Sequence, residues 1–493
     1  LDFPVIINGF SEFALSFYPL RESFLTLCYG IAALSILHTC LKAVSSKNGS
    51  ALARLSDRRN DCGRFDLILV ATFTLLGLAL RMYALDHKTY WWDEYLAIWI
   101  GESDLPTIFR TLATPRAPAS DFTPPLFYVL LHFWVEFFGS AEGQTLVLTA
   151  ICSVFTIPSA YVLGRELASR SVGLVSAFLL ALSPVNIHYA QELRCYALLS
   201  LLALGFLIFL VKSLKRGQLS DLVLTAAIGF LFLYTHFVAS WLYLGISMAA
   251  AAVVLTPTCI SPWIGVPLKK PLGRVYAALL ACAGALTLYA CPWFKAFWPV
   301  LGHIPHLLAI GALLLSSILF IALTVPESAG AWAADRIASF PEFYSSRRIW
   351  QLAAALLVPA LLFLPWLLHT RIWEIVAGQG QYAPGARGLT HLQAFLIEYC
   401  AMDIELAVFF LSFGLWSFAI KKPRSAAIIT GWALIPLAMA FATQNPNMNL
   451  SRYLIATQAG YVILLAMGVA ELASLTINAV SALGLRLFKL TGE

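Results

Sequence analysis

Apolar stretches of bilayer-spanning length recur along this chain, separated by short polar connections. They run at approximately 24–43, 66–85, 144–163, 171–188, 195–212, 222–237, 238–257, 275–292, 306–324, 350–368, 404–420, 425–443 and 453–472. A helix needs about 20 apolar residues to cross the hydrocarbon core, and a backbone in lipid must satisfy its own hydrogen bonds. The pattern therefore predicts an all-α polytopic membrane protein with about 12–13 transmembrane helices. One more apolar stretch, 125–139 (PLFYVLLHFWVEFFG), is short for a span, and counting it as one would put Arg165 and Arg170 on the wrong side. It reads as a juxtamembrane or re-entrant helix within a long first outside loop.

Charge fixes the expected orientation. Lys47/Arg54/Arg58/Arg59/Arg64, Arg165/Arg170, Lys212/Lys215/Arg216, Lys269/Lys270/Arg274, Arg336/Arg347/Arg348 and Lys421/Lys422/Arg424 fall on alternate connections and are expected to be cytoplasmic. The opposite face then collects 86–143, 184–194, 370–403 and 444–452. The chain divides into an extra N-terminal span with its basic loop (1–65), a transmembrane core (66–472) and a cytoplasmic tail (473–493). Of the 493 residues 60% are hydrophobic and 12% charged, against roughly 25% charged in a soluble domain, so water is not the main solvent. The net charge of +6 belongs to the loops and is no nucleic-acid signature. Nine cysteines lack metal-type spacing, and Cys28, Cys195 and Cys282 lie in apolar stretches, so no disulfide framework is legible. The segment before Ser23 has neither a basic start nor a cleavage site and does not read as a signal peptide.

The polar residues of the outside segments are the candidates for chemistry. Asp93 and Glu94 follow Tyr90-Trp91-Trp92, aromatics suited to the headgroup level. If Tyr90 to Ile100 is a helix closed by Gly101, adjacent side chains diverge by about 100° and only one of the two acids faces a given cavity. Asp121 precedes a rigid Pro124-Pro125 entry into the 125–139 helix. Ser183 and Pro184 look like the cap and first position of a new helix, on which a spacing of four sets His188, Glu192 and Tyr196 on one face, with Gln191 and Arg194 beside it. His236 ends another span at the same face, and Arg452-Tyr453 open the last one. Each has a plainer alternative: solvated loop acids, a local Glu192/Arg194 cluster, a hydrogen-bonded histidine, an interfacial arginine anchor.

The ordered set WWDE, TPPLFY, SPVNIHYAQELRCYALL, YTHF, LPWLL and SRYL resembles the type C membrane glycosyltransferases related to protein O-mannosyltransferases and the lipid A aminoarabinose transferase, over about residues 66–472. The resemblance implies sugar transfer from a polyprenyl-phosphate donor to a glycan, lipid or protein acceptor on the outer or periplasmic face of a bacterial inner membrane. Asp93 would be the catalytic carboxylate with Glu94 as the second acid, and Arg194 and Arg452 would contact the donor phosphate. Asp121, His188, Gln191, Glu192, Tyr196, His236 and Tyr453 would line the substrate site. This chain departs by its extra segment at 24–43, which could serve a protein partner, and by Phe122-Thr123 where some relatives carry a Glu-Lys pair or a His. No Gly-rich nucleotide loop is visible; no cofactor is indicated, and a divalent metal is left open. The Gly378–Gly388 stretch has a lid-like composition. Two other classes stay in view. A non-catalytic membrane subunit would retain the fold without the chemistry, and a transporter would need repeated halves with ionisable residues at mid-span.

Overall fold

In the computed structural model of the protein, residues 59–85, 89–114, 123–260, 346–370, 389–401, 404–442 and 450–491 are described; the segments at 24–43, 275–292 and 306–324, Asp121 and the Gly378–Gly388 stretch lie outside them. Among the described residues all regular structure is helical: α1 (Arg59–Met82), α2 (Trp92–Gly101), α3 (Leu105–Ala113), α4 (Leu126–Phe138), α5 (Glu142–Leu167), α6 (Arg170–Leu182), α7 (Pro184–Ala190), α8 (Tyr196–Arg216), α9 (Leu219–Leu233), α10 (Val238–Ile260), α11 (Ser346–Thr370), α12 (Leu389–Cys400), α13 (Ile404–Lys421), α14 (Pro423–Ile429), α15 (Ile435–Ala442), α16 (Leu450–Tyr453) and α17 (Gln458–Thr491). A π-helical turn, Thr430–Leu434, joins α14 to α15, and a 3₁₀ turn, Ile455–Thr457, leads into α17. Five of these helices are long and apolar enough to cross a membrane, six if α6 and α7 are one broken span. The protein is an integral membrane protein.

With no hydrophobic force between helices in lipid, close packing has to come from small residues. A Cβ on Gly164 of α5 would lie 2.9 Å from Gly173 Cα of α6, and one on Gly173 only 2.5 Å from the Tyr161 carbonyl. The same device joins α13 to α17, where a Cβ on Gly468 would lie 2.5 Å from the Phe410 carbonyl.

Helix direction follows from a ladder of side-chain contacts made to α5 by α1 and by Tyr90, which lies beyond its end. Tyr90 meets Thr145, Arg81 donates to Ser153 at 2.7 Å, and Tyr161 donates to Asp66 at 3.0 Å. Numbers fall along one helix as they rise along the other, so the pair is antiparallel. One end of the bundle is basic: Arg170 pairs with Asp66, Lys215 and Arg216 hold Glu166 at 3.0 and 3.3 Å, and Lys421 holds Glu471 at 2.5 Å. α8 closes at this end through Gly217, whose φ of 62° is the left-handed conformation glycine adopts at no steric cost.

The opposite end holds α2, α3 and α4. The Leu126 amide donates to Tyr234 O at 3.1 Å, His132 Nδ1 lies 3.1 Å from Gly101 O, and Trp134 Nε1 donates to Gln144 O at 2.9 Å. Both ends of α4 are thus tied to the same end of the bundle. It does not run through it, as its 13 residues and the charge pattern predict.

One residue knits this end together. Arg81, fully buried in the last turn of α1, donates from Nε to Ser153, from Nη1 to Gly77 O and Ala181 O, and from Nη2 to Leu180 O and Asn186 Oδ1, at 2.7–3.1 Å. Leu180 and Ala181 end α6, whose terminal carbonyls lack intrahelical partners and carry the negative end of the helix dipole. Beyond them Ser183 caps α7, its side chain accepting from the Asn186 amide with Pro184 at the first helical position. The pair α6–α7 bends there by 57°.

Candidate active site

At the end opposite the basic clusters three segments converge. The first is the start of α2. Trp91 precedes the helix, and Glu94 in its first turn reaches back to accept from the Trp91 amide at 3.1 Å, which satisfies a backbone donor at the helix start. The other Glu94 oxygen accepts from the Leu193 amide at 2.7 Å, and the residue is completely buried. Asp93 diverges from it, as neighbouring helical positions must, and faces Arg452. Tyr90, ahead of the helix, donates to Glu142 O at 2.5 Å. Burial pushes its phenol up to about 12, so it keeps the proton it donates.

The second segment is 191–195, between α7 and α8. Here the sequence expectation needs correction: His188, Glu192 and Tyr196 do not share one helical face, because α7 ends at Ala190 and α8 begins at Tyr196. The chain leaves the helix where side chains claim it. Gln191 Nε2 donates to Arg81 O at 3.2 Å and Tyr83 O at 2.8 Å at the end of α1, and Glu94 takes the Leu193 amide. Glu192 and Arg194 are nonetheless both buried in the cluster. Arg194 Nη1 lies 3.4 Å from Asp93 O and 3.4 Å from the Tyr128 hydroxyl on α4.

The third segment is α16. Arg452 Nη2 donates to Glu192 Oε1 at 2.9 Å and Asp93 Oδ2 at 3.2 Å. Its guanidinium lies 4.6 Å from the centre of the Trp91 ring and 5.1 Å from that of Tyr196, so two aromatic faces and two carboxylates fix one cation. Of the three charged side chains Asp93 is the most open, at 30% exposed against 19% for Arg452 and 6% for Glu192. It is the carboxylate an incoming group can reach.

Aromatic rings floor the cluster. Tyr453 lies 5.6 Å from His236 and 6.5 Å from Tyr196, ring centre to ring centre. His236 is buried, and its Nδ1 accepts from the Val238 amide at 3.1 Å, which leaves Nε2 as the protonated nitrogen of the neutral ring. His188 lies on α7 with its ring edge-on to Tyr189. The structure thus brings Asp93, Glu192, Arg194, Tyr196, His236, Arg452 and Tyr453 together, holds Glu94 just beneath them, and turns Gln191 toward α1.

Two residues not singled out in the sequence adjoin the cluster. Glu398 of α12 accepts from the Ser451 hydroxyl, and burial holds its carboxyl above the ordinary range against the lowering effect of that bond. Tyr399 donates to Ser451 O at 2.7 Å. The signal was a lone Glu in the apolar run AFLIEYC. Among the described residues no group of three His, Cys, Asp or Glu side chains is arranged to hold a metal ion.

With this geometry in place, comparison with known proteins is informative in one region. The family described as dolichyl-phosphate-mannose-protein mannosyltransferase matches residues 123–286. The chain resembles this family. The matched third of the chain includes α4, the 191–195 segment, His236 and the described helices between them. No curated protein matches the sequence. Among solved structures, the archaeal oligosaccharyltransferase AglB from Archaeoglobus fulgidus, in complex with an inhibitory peptide and a dolichol-phosphate, is 15% identical, with a TM-score of 0.45 over 82% of this chain and 50% of that one. The Archaeoglobus fulgidus oligosaccharyltransferase tethered to an acceptor peptide is 14% identical, with a TM-score of 0.45 over 83% of this chain and 50% of its own. This chain therefore spans about half the length of those enzymes.

Proposed function

We propose that this protein is a membrane glycosyltransferase that moves a sugar from a polyprenyl-phosphate donor to an acceptor hydroxyl, with inversion, on the membrane face away from its basic clusters. The observation that carries the proposal is the meeting of one accessible carboxylate, Asp93, with Arg452 at 3.2 Å and with Arg194 next to its own backbone carbonyl. Transfer from a lipid phosphate needs both kinds of group: a base for the acceptor and cations for the departing phosphate. Asp93 takes the acceptor proton as the acceptor oxygen bonds to the anomeric carbon. The bond from that carbon to the phosphate oxygen breaks on the opposite face, and Arg194 and Arg452 hold the phosphate as its charge grows. Tyr196, His236 and Tyr453 line the sugar's side of the cluster, and His188 and Asp121 are proposed as further substrate contacts on sequence grounds. Glu192 holds Arg452, and Glu94 and Gln191 hold the backbone around it. The positive-inside rule sets the basic end in the cytoplasm and the site on the far side, the periplasm if the host is a bacterium.

Removing a general base typically costs about 100-fold to 10,000-fold in rate with little loss of binding. Asp93→Asn is therefore expected to abolish transfer while the protein stays folded and binds polyprenyl phosphate, and Arg194→Ala to weaken that binding itself. Near-normal transfer by Asp93→Asn removes the mechanism. Failure of the unmodified protein to transfer from any polyprenyl-phosphate sugar removes the enzyme reading in favour of a non-catalytic subunit.

A further inference from the structure

Arg452 sits on an element that cannot hold it unaided. α16 is a single turn of four residues followed by a 3₁₀ turn of three, and so short a helix has almost no stability of its own. Its rigidity must come from neighbours. The following turn is held by Trp432, whose Nε1 donates to Ala456 O at 3.0 Å. The residue immediately before Arg452 is gripped twice from α12: Glu398 accepts from the Ser451 hydroxyl, and Tyr399 donates to the Ser451 carbonyl at 2.7 Å. The grip is itself well seated. Tyr399 is almost completely buried, with its ring 4.1 Å from that of Phe395 and 5.7 Å from that of Tyr461, centre to centre.

The geometry points to Glu398 and Tyr399 as positioning residues for the phosphate subsite: by holding Ser451 through both side chain and backbone they fix the direction in which Arg452 leaves the chain, toward Asp93, Glu192 and the incoming phosphate. This deepens the reading of Arg452 as a phosphate ligand and rests on it. Neither residue touches the reacting groups. Their effect passes through one arginine, which gives the inference a signature that general damage to the fold would lack.

The test is the dissociation constant for polyprenyl phosphate in detergent, measured for the unmodified protein, Arg452→Ala, Glu398→Ala, Glu398→Gln, Tyr399→Phe and the double variant Glu398→Ala/Arg452→Ala. Groups linked through a shared partner couple, and single losses of about tenfold are the scale to expect for Glu398→Ala and Tyr399→Phe. Glu398→Gln keeps an oxygen that accepts the Ser451 proton and should recover most of the affinity. In the Arg452→Ala background, Glu398→Ala should weaken binding no further. Unchanged binding by Glu398→Ala, or losses that multiply in the double variant, overturns the inference. If the unmodified protein binds no polyprenyl phosphate, the phosphate-ligand reading of Arg452 fails on its own account. The grip is then judged by thermal stability, with Glu398→Ala and Asp93→Ala alone and together. Non-additive stability loss supports the grip on Arg452, and strictly additive loss overturns it.

Discussion

Replacing Arg81 with methionine isolates what one buried cation contributes to the fold. Methionine keeps most of the aliphatic stem and removes the guanidinium. A hydrogen bond from a charged group to a neutral partner is worth about 1.5–3 kcal/mol in a soluble protein, and five of them would suggest a very large loss. The partners decide otherwise. Ser153 and Asn186 keep each other, since Ser153 Oγ donates to Asn186 Oδ1 at 2.7 Å. The Leu180 carbonyl keeps the Ser183 amide at 3.4 Å, and the Gly77 carbonyl lies inside α1 where the helix can use it. Ala181 O, at the end of α6, is the acceptor with most to lose. Leaving a buried acceptor unsatisfied costs about 1–3 kcal/mol, and interhelical bonds in membranes average nearer 0.6 kcal/mol. The expected loss is therefore about 3 kcal/mol. It should appear as a clear drop in the unfolding midpoint of purified protein in detergent, with Arg81→Lys intermediate because an ammonium reaches fewer acceptors. An Arg81→Met protein that melts with the unmodified one would refute the assignment of this arginine as the tie between α1, α5, α6 and α7.

Three further outcomes follow from the same geometry. Single cysteines at Thr123 and Ser140, flanking α4, should label from the same side of a sealed membrane; labelling of only one would make α4 a span and invert every later loop. Gly468→Leu should cost at least the roughly 1–3 kcal/mol of an overpacked core, because its Cβ would meet the backbone carbonyl of Phe410, and normal yield and melting would refute the close α13–α17 contact. Glu398 is a carboxyl whose folded affinity for its proton is raised by burial, so its contribution to stability is full below the ordinary value of 4.5 and is lost as pH rises above it. The unfolding midpoint should accordingly fall less steeply with pH above 4.5 in Glu398→Gln than in the unmodified protein, and identical slopes would remove Glu398 as the titrating group.

The spans were legible because a helix facing lipid must stay apolar along its whole length. The starts and ends of α8, α11 and α13 lie within a few residues of the apolar runs that predicted them. Among the described residues, Arg170, Lys215 and Lys421 of the basic loops pair with Asp66, Glu166 and Glu471, while Lys47, Arg54, Arg58, Lys269, Lys270, Arg274 and Arg336 lie outside them. What periodicity could not supply was the break between α7 and α8. Residues 184–196 carry a helix start and a helical spacing, and nothing local in them says that Gln191 will be claimed by α1 and Leu193 by Glu94. Arg81 was equally silent as a fold residue, although an arginine inside an apolar run is costly enough in a membrane to announce a buried partner set. Of the cluster, Asp93, Arg194 and Arg452 stood out by residue type and position. Glu398 did not, because its role depends on where α12 packs.

The two hydrogen bonds that end on Glu94 decide which parts of the cluster move together. They join the start of α2 to the 191–195 segment through one completely buried carboxylate, so Asp93, Glu192 and Arg194 sit on a single rigid jaw. Arg452 belongs to the other jaw, and ion pairs of 2.9 Å to the buried Glu192 and 3.2 Å to the partly exposed Asp93 join the two. Separating α2 from the 191–195 segment would strip the buried Glu94 carboxylate of its Leu193 amide donor, whereas parting Arg452 from Asp93 uncovers charges at the more open side of the cluster. The seam beside Arg452 is therefore the weaker of the two joins, and the jaw that carries Asp93 is the stiffer.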